Sequence, residues 1–533
     1  MRNYIAFVIL LILVQLTSFT VTAQGAERYA ASSRLAQGQW VKIRVDETGI
    51  YQLTYDQLRE YGFSDPSHVA VFGYGGAMLS EDFSQPYVDD LPLVPVLHTG
   101  NKLLFYGQGV LSWRVSNSRF VRTRNPYSMY GYYFLTQLTE TPASPEVEAS
   151  SSAAALTVNT FHDRVLHEQE LVSPGRMGRN FYGEDFLYQS WREFSFDMPG
   201  ITTTPVTAEV VFLAKSTSSA STVSVQINGG ETKNATIAPI LDADGQTYEC
   251  GVEAKIQYSF VRNEQDPDVV RVLFDGNGAS AAYLDYILLN MERELRLYDG
   301  YVAFRHRSAA TSRLRYEIGD GGVASPRVWD VTTPYAPREI AAEHADGVIS
   351  FVPRQTALRE YVAFDPAASF PSPQFEGTVT NQNLHALPQV DFVIVAPSLF
   401  RDEAVRLGEF HLAHDSLTYQ VVQPTHIYNE FSSGTPDATA IRRFMKMFSD
   451  RAAGDESQRP RYLLLFGDGS YDNRRVTQEW ASYASYPFLL TFQGDESIDE
   501  KYNFVSDDYF GFLHDDEGAD LYRATLDLGI GRF

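Results

Sequence analysis

Apolar and polar positions follow two different rhythms along this chain, and the rhythm changes near Leu387. The first 380 or so residues run in short alternating stretches. From Gly38 to Val45, Trp40, Lys42 and Arg44 alternate with Val41, Ile43 and Val45, which predicts a half-buried strand. Asp46 to Gly49 is a turn, and Ile50 to Leu53 is the return. Thr54 with Gln57 forms a capping box for a short helix through Tyr61, ended by Gly62. Further short strands over 68–73, 91–98, 102–106 and 130–135 are separated by glycine clusters such as Gly73-Tyr74-Gly75-Gly76. Residues 24–138 therefore read as a β-rich N-terminal module. Residues 139–156 are rich in Ser, Ala, Pro and Glu and read as a linker. Residues 157–380 read as a β-sandwich or jelly-roll region, with strands over 208–214, 222–227, 269–274 and 282–291. The stretches 313–318 and 348–352 continue in that style. The pattern leaves open whether they complete the sandwich or form a separate piece.

After Leu387 the pattern becomes α/β. Residues 391–396 (DFVIVA) predict a buried strand, 401–415 a helix, and 419–422 a second strand. In the first helix Ala404, Leu407, Gly408, His411 and Leu412 share one side. A second helix starts at Thr435-Pro436-Asp437, with Thr435 as cap and Pro436 at the first helical position, and its buried stripe is Ile441, Phe444, Met445 and Phe448. Tyr462 to Phe466 is a continuous apolar run that breaks into Gly467-Asp468-Gly469-Ser470. Alternation of this kind implies parallel strands with right-handed crossovers. The glycine loop then falls at the carboxyl end of a strand, where open α/β sheets place ligands.

Met1 to Ala23 reads as a signal peptide: Arg2 supplies the charge, residues 5–16 the apolar core, and Val21-Thr22-Ala23 the small residues before a cut at Gln24. The apolar run is shorter than the roughly 20 residues a membrane span needs, so an exported protein is expected. A net charge of −24, from 43 basic and 67 acidic residues, argues against nucleic acid as a partner. The single cysteine, Cys250, excludes an intrachain disulfide.

Four carboxylates are candidate ligands in the α/β part: Asp468 and Asp472 after the apolar run, and Asp507 and Asp508 in VSDDYFG. With nearby carbonyls they could hold a hard cation such as calcium, although the spacing is not that of an EF-hand. The plainer reading is turn capping. His514, beside Asp515 and Asp516, has the same two readings, metal-like or a solvated loop. Cys250 has only acidic neighbours (Asp242, Asp244, Glu249, Glu253), which would raise its thiol pKa, so it reads as a small strand residue rather than a nucleophile. His385, His411, His414 and His426 lie in or near the α/β part, and His411 reads as a core residue. There is no G-x-S-x-G elbow, Walker loop or zinc signature.

Several strings carry a resemblance. They are QNLHAL (382–387), IYNEFSSGTPDATAIRRFMK (427–446), RYLLLFGDGSYDNR (461–474), VSDDYFG and LDLGIGRF (526–533). The N-terminal strings GQWVKIRVDETGIYQLT (38–54), DLPLVPV (90–96), KLLFYGQG (102–109) and NPYSMYGYYFLT (125–136) agree with them. Together they resemble the gingipain family of cysteine peptidases, and within it the cell-surface sortases of type IX secretion. The resemblance implies a caspase-like α/β domain over 381–533, of which this would be the first half. It implies an activity that removes the C-terminal sorting domain of cargo proteins and links the cargo to anionic lipopolysaccharide. It also implies other secretion-system proteins as partners and a location at the cell surface or outer membrane. The family's catalytic His and Cys have no counterpart up to Phe533, so no catalytic residue is carried over, and the chain is expected to be a fragment that is inactive alone.

Two other functions fit the residues. One is a non-catalytic surface scaffold or cargo-binding component of the secretion machinery. The other is a carbohydrate-binding sandwich protein, which would need an exposed aromatic platform such as Trp113 or Trp191.

Overall fold

The computed structural model describes residues 27–533 apart from 154, 241–247, 264, 484, 519–520 and 522. The expected signal peptide and the Gln24 start lie outside the described residues. The architecture is β-rich throughout, with several sheets preceding an α/β domain.

In the N-terminal module, Trp40–Val45 pairs with Gly131–Gln137, and that strand pairs with Val69–Phe72. A second sheet of Gly49–Thr54, Lys102–Gly107 and Leu97–Thr99 closes the core around Val41, Ile43, Leu53, Val71, Phe105 and Tyr133. The Thr54 capping box is present: Gln57 N–H donates to Thr54 Oγ1 at 3.2 Å, and Thr54 N–H donates to Gln57 Oε1 at 2.9 Å.

Two sandwiches follow. In the first, Thr160–His167, Ala281–Glu294, Val206–Lys215 and Val252–Phe260 face Trp191–Ser195, Val269–Asp275, Ser221–Ile227 and Thr232–Ile237 across one aliphatic core. The second has its own aromatic core of Phe304, Tyr316, Phe351 and Tyr361, so residues after 300 form a separate piece. Segment 139–156 is not a plain linker. Glu146–Ala149 pairs parallel to Arg338–Ala341, and Leu156–Val158 pairs parallel to Leu314–Gly319, both in the second sandwich. These are short edge strands with exposed side chains, so they carry no alternation to read. Gln374–Val379 leaves the sandwiches altogether and pairs antiparallel with Trp40–Val45 of the N-terminal module.

The α/β domain holds a four-stranded parallel sheet. Its strands are β1 (Phe392–Val395), β2 (Tyr419–Val422), β3 (Tyr462–Leu465) and β4 (Gly529–Arg532), in the order β2-β1-β3-β4. Phe392 is level with both Tyr419 and Tyr462, and Tyr462 is level with Gly529. The helices are α1 (Arg401–Asp415), α2 (Pro424–Phe431) and α3 (Ala438–Arg451). Only Ala404 and Gly408 of α1 are buried. His411 is half-exposed and bonds Asp415 at 2.7 Å, and Leu412 is exposed, so His411 is not a core histidine. The cap of α3 is Asp437, whose carboxylate accepts the Thr439 N–H at 2.8 Å. Thr435 instead donates to Gly75 O at 3.0 Å, a contact with the N-terminal module that displaces it from the capping role. Among the described residues no helix is long and apolar enough to cross a membrane.

Candidate functional site

The carboxyl ends of the parallel strands open onto a cleft of about 480 Å³. Pro397 and Ser398 follow β1, Gln423 and Pro424 follow β2, and Asn473, Arg475 and Leu490 come from the long loop after β3. The opposite wall is the segment Tyr127–Tyr132 of the N-terminal module. Sheet sterics put this cleft where the strand ends and loops converge. Among the described residues neither a cysteine nor a histidine lines it.

Asp472 organises the loop after β3. Its fully buried carboxylate accepts from Val476 N–H at 3.1 Å, Thr477 N–H at 2.8 Å and Thr477 Oγ1 at 2.9 Å. Asn473 exchanges two 3.0 Å bonds with the backbone of Thr491. A Cβ on Gly469 would lie 2.3 Å from Thr491 Cγ2, so this close approach requires glycine. Arg532 closes the end of β4: its guanidinium meets Asp507 at 2.7 and 2.9 Å and Leu490 O at 3.0 Å. Asp468 and Asp508 are exposed. The backbone carbonyl of Asp468 accepts Leu489 N–H at 2.8 Å. The carboxylates of Asp472 and Asp507 are thus committed to different partners while those of Asp468 and Asp508 face solvent, and among the described residues no three His, Cys, Asp or Glu side chains gather as a metal site. His514 is solvent-facing and pairs with Asp527 at 3.2 Å.

The cleft depends on how firmly its two walls are joined. Helix α3 is buried on every side from Ala438 to Phe448, including Arg442, Arg443 and Lys446. The apolar stripe faces the sheet, and the rest is covered by the segment 74–90 of the N-terminal module together with residues 509–517 of the α/β domain. Arg442 donates to three carbonyls, of Phe512, Glu81 and Glu517, at 2.6 to 2.9 Å, and lies over the Phe83 ring. Burial of a guanidinium is tolerable only when its donors are satisfied in this way. Lys446 reaches Leu513 O at 2.8 Å and pairs with Asp450 and Asp515.

The stretch between α2 and α3 is docked in the same fashion. Ser433 Oγ accepts Tyr74 N–H and donates to Tyr132 O, both at 2.9 Å. Asp437 accepts Leu79 N–H at 3.0 Å, and burial raises its pKa against those bonds. Lys42 donates to Gly434 O at 2.7 Å, and burial lowers its ammonium pKa to about 8. His385 is sealed between Glu430 and Asp89. Sequence reasoning missed this joint. The polar run Ser432-Ser433-Gly434-Thr435 was its one visible trace, since such residues inside an α/β core region need partners from elsewhere.

Cys250 lies at a different junction. Its N–H bonds Ile498 O at 2.9 Å, and its Sγ is 3.7 Å from Ser497 O, so it fastens the first sandwich to the loop before β4. Burial, more than acidic neighbours, pushes the thiol up to about 11, with Lys215 opposing and Glu496 adding. Asp242 and Asp244 lie outside the described residues. Trp113 is half-buried against Arg164, while Trp191 is exposed on the first sandwich.

Residues 385–533 match Peptidase family C25. Over the whole chain, the crystal structure of dimeric latent PorU from Porphyromonas gingivalis is similar with a TM-score of 0.86 and 32% identity, covering 96% of this chain and 50% of that one. The chain thus spans about half the length of the PorU chain it matches. The tobacco streak virus coat protein (TM-score 0.15, 6% identity, 25% of this chain and 90% of that one) and an Arthrobacter globiformis isomalto-dextranase (0.17, 10%, 48% and 36%) are too distant to speak for a shared fold. No curated protein matches the chain. The protein carries a Peptidase C25 (gingipain) domain at its C-terminal end, set on β-rich domains in the arrangement seen in PorU.

Proposed function

We propose that this chain is part of a gingipain-type cysteine peptidase that serves type IX secretion as a cell-surface sortase. The observation that supports this most is the 0.86 TM-score to PorU over 96% of the chain, together with the C25 match. In this reading the enzyme removes the C-terminal sorting domain of exported cargo and links the cargo to anionic lipopolysaccharide. A thiolate attacks the scissile peptide carbonyl, the sorting domain leaves, and an amine resolves the acyl-enzyme. The residues described here hold the carboxyl-edge cleft open and rigid for an extended peptide. Binding geometry of this kind converts directly into rate. Deleting the gene should leave sorting domains on secreted cargo, read by mass spectrometry, with loss of lipopolysaccharide-linked forms. Fully processed cargo in the deletion strain would overturn the reading.

A second reading, a non-catalytic scaffold or cargo-binding component, draws on Cys250. The one thiol of the chain is held protonated at a domain junction and does not line the cleft. Thiol alkylation of the full-length protein carrying Cys250→Ser separates the two: a scaffold keeps its effect on cargo processing, whereas a peptidase loses it.

A further inference from the structure

A second cleft, of about 490 Å³, lies where the N-terminal module, both sandwiches and the C25 domain meet. Arg164, Arg305 and Arg443 reach it, in a chain whose net charge is −24. Two of the three are satisfied. Glu360 takes Arg164 at 3.1 Å and Arg305 at 2.8 Å, and Asp163 takes Arg305 at 2.9 Å. Arg443 is not. It is 3% exposed, its Nε is buried without an acceptor, and no hydrogen bond or ion pair to it exists among the described residues. Its one close partner is the Tyr87 ring, 4.3 Å from the guanidinium carbon. Asp437 is near enough to feel its charge, but that carboxylate is committed to Leu79 and Thr439 N–H groups.

A buried guanidinium with five donors and no acceptor is costly, and native proteins rarely leave such a group unmet. Its neighbour Arg442, on the same helix, shows how this fold satisfies one from within, with three carbonyls. At Arg443 the protein instead provides a cavity. Aromatic rings (Tyr74, Tyr106, Trp113 and Tyr335) form much of its wall. A cation lining an aromatic-walled cleft suits a ligand with an acidic head and an apolar or flat body.

We propose that this cleft binds a small organic oxyanion, a carboxylate- or phosphate-bearing molecule whose acidic group pairs with Arg443 and whose body lies against the aromatic wall. Since four domains line the cleft, the ligand would also tie them together. Binding to the folded state alone raises stability by mass action.

The test uses the full-length protein with phenylacetate, acetate and inorganic phosphate as probes, followed by calorimetry, Trp fluorescence and melting temperature. Phenylacetate should bind saturably, raise the melting temperature and bind more tightly than acetate. Phosphate competing with it identifies the shared oxyanion subsite, whereas phosphate binding better than phenylacetate would put the body's contribution aside and overturn that half of the proposal. Arg443→Met should weaken binding by roughly tenfold or more, the loss of a charge-assisted contact, and Arg443→Lys should retain part of it. Trp113→Phe should remove the fluorescence response while calorimetric binding persists, which locates the site. No saturable binding to the wild type at millimolar concentration, or equal affinity in Arg443→Lys, Arg443→Met and wild type, would overturn the proposal. Should Arg443→Met fail to fold, the Lys variant and the Trp113 response decide.

Discussion

His385 Nε2 stands 3.0 Å from the carboxylate of Asp89, a residue 296 positions earlier in the chain, while its Nδ1 stands 2.6 Å from Glu430. The imidazole is fully buried between them and stacks on Phe431 at 4.7 Å. Glu430 is satisfied further by the N–H groups of Leu384 and His385 and by Gln382 Nε2. The N-terminal module and the C25 domain are therefore joined through a charged histidine with a carboxylate from each side.

Burial alone would lower the His385 pKa, but the bonds to Asp89 and Glu430 outweigh it and hold it at about 9, against an ordinary 6.5. The folded state thus keeps a proton that the unfolded chain releases. Its contribution is fully present below about pH 6.5 and is lost as pH rises through about 9, with a span of about 3 kcal/mol. The stability difference between wild type and His385→Gln, measured by urea unfolding, should shrink steadily over that window. Lys42 shifts the opposite way but is common to both proteins and cancels. A difference that does not change with pH would refute the charged bridge.

Asp437→Ala removes the α3 cap and the bond to Leu79 together. Each is worth about 1 kcal/mol, and the stranded N–H groups add more, so a loss of about 2–3 kcal/mol is expected. Hydrogen exchange should show the Leu79 amide opening along with the start of α3. Protection lost in α3 alone would mean that the module does not depend on this carboxylate.

Asp472 and Asp468 share a loop and should behave differently. Asp472→Ala strands the buried Thr477 N–H and hydroxyl and the half-buried Val476 N–H, at a cost of about 2 kcal/mol or more. Asp468→Ala changes an exposed side chain and should stay within about 0.5 kcal/mol. Thermal unfolding of the two variants checks the order, and calcium should leave both melting temperatures unchanged. A calcium-dependent rise in wild type, absent from either variant, would restore the cation reading.

With its thiol pushed up to about 11, Cys250 should alkylate slowly at neutral pH and faster as pH approaches that value. Cys250→Ser should leave the cleft and any cargo processing unchanged. Rapid, stoichiometric alkylation at pH 7 would mean that the thiol is more accessible and more acidic than its burial against Ser497 allows.

The parallel sheet was legible because DFVIVA and YLLLF are apolar runs too short for helices, each closed by Pro or Gly. The stripe Ile441, Phe444, Met445, Phe448 was legible for the same kind of reason, a 3.6-residue period. Arg442, Arg443 and Lys446 were not. A periodic pattern marks one buried face, and nothing near α3 in sequence announces a cover supplied by residues 74–90. Thr435 was misread because capping rules are local, whereas its hydroxyl is engaged 360 residues away. Gln374–Val379 escaped notice as part of the N-terminal sheet because its side chains are exposed or half-exposed and show no alternation.

That last strand has a mechanical consequence. The chain leaves the N-terminal sheet after Gly131–Gln137 and re-enters it at Gln374–Val379, and both flank Trp40–Val45. Everything between is an insert pinned at both ends of its excursion. A domain hung on one linker can swivel about it, but a loop whose two feet stand in the same sheet has lost most of that freedom. The C25 domain begins only a few residues after the second foot. It inherits a fixed bearing from the sheet itself, and a single proteolytic nick anywhere in the sandwiches would cut the polypeptide without cutting the particle in two.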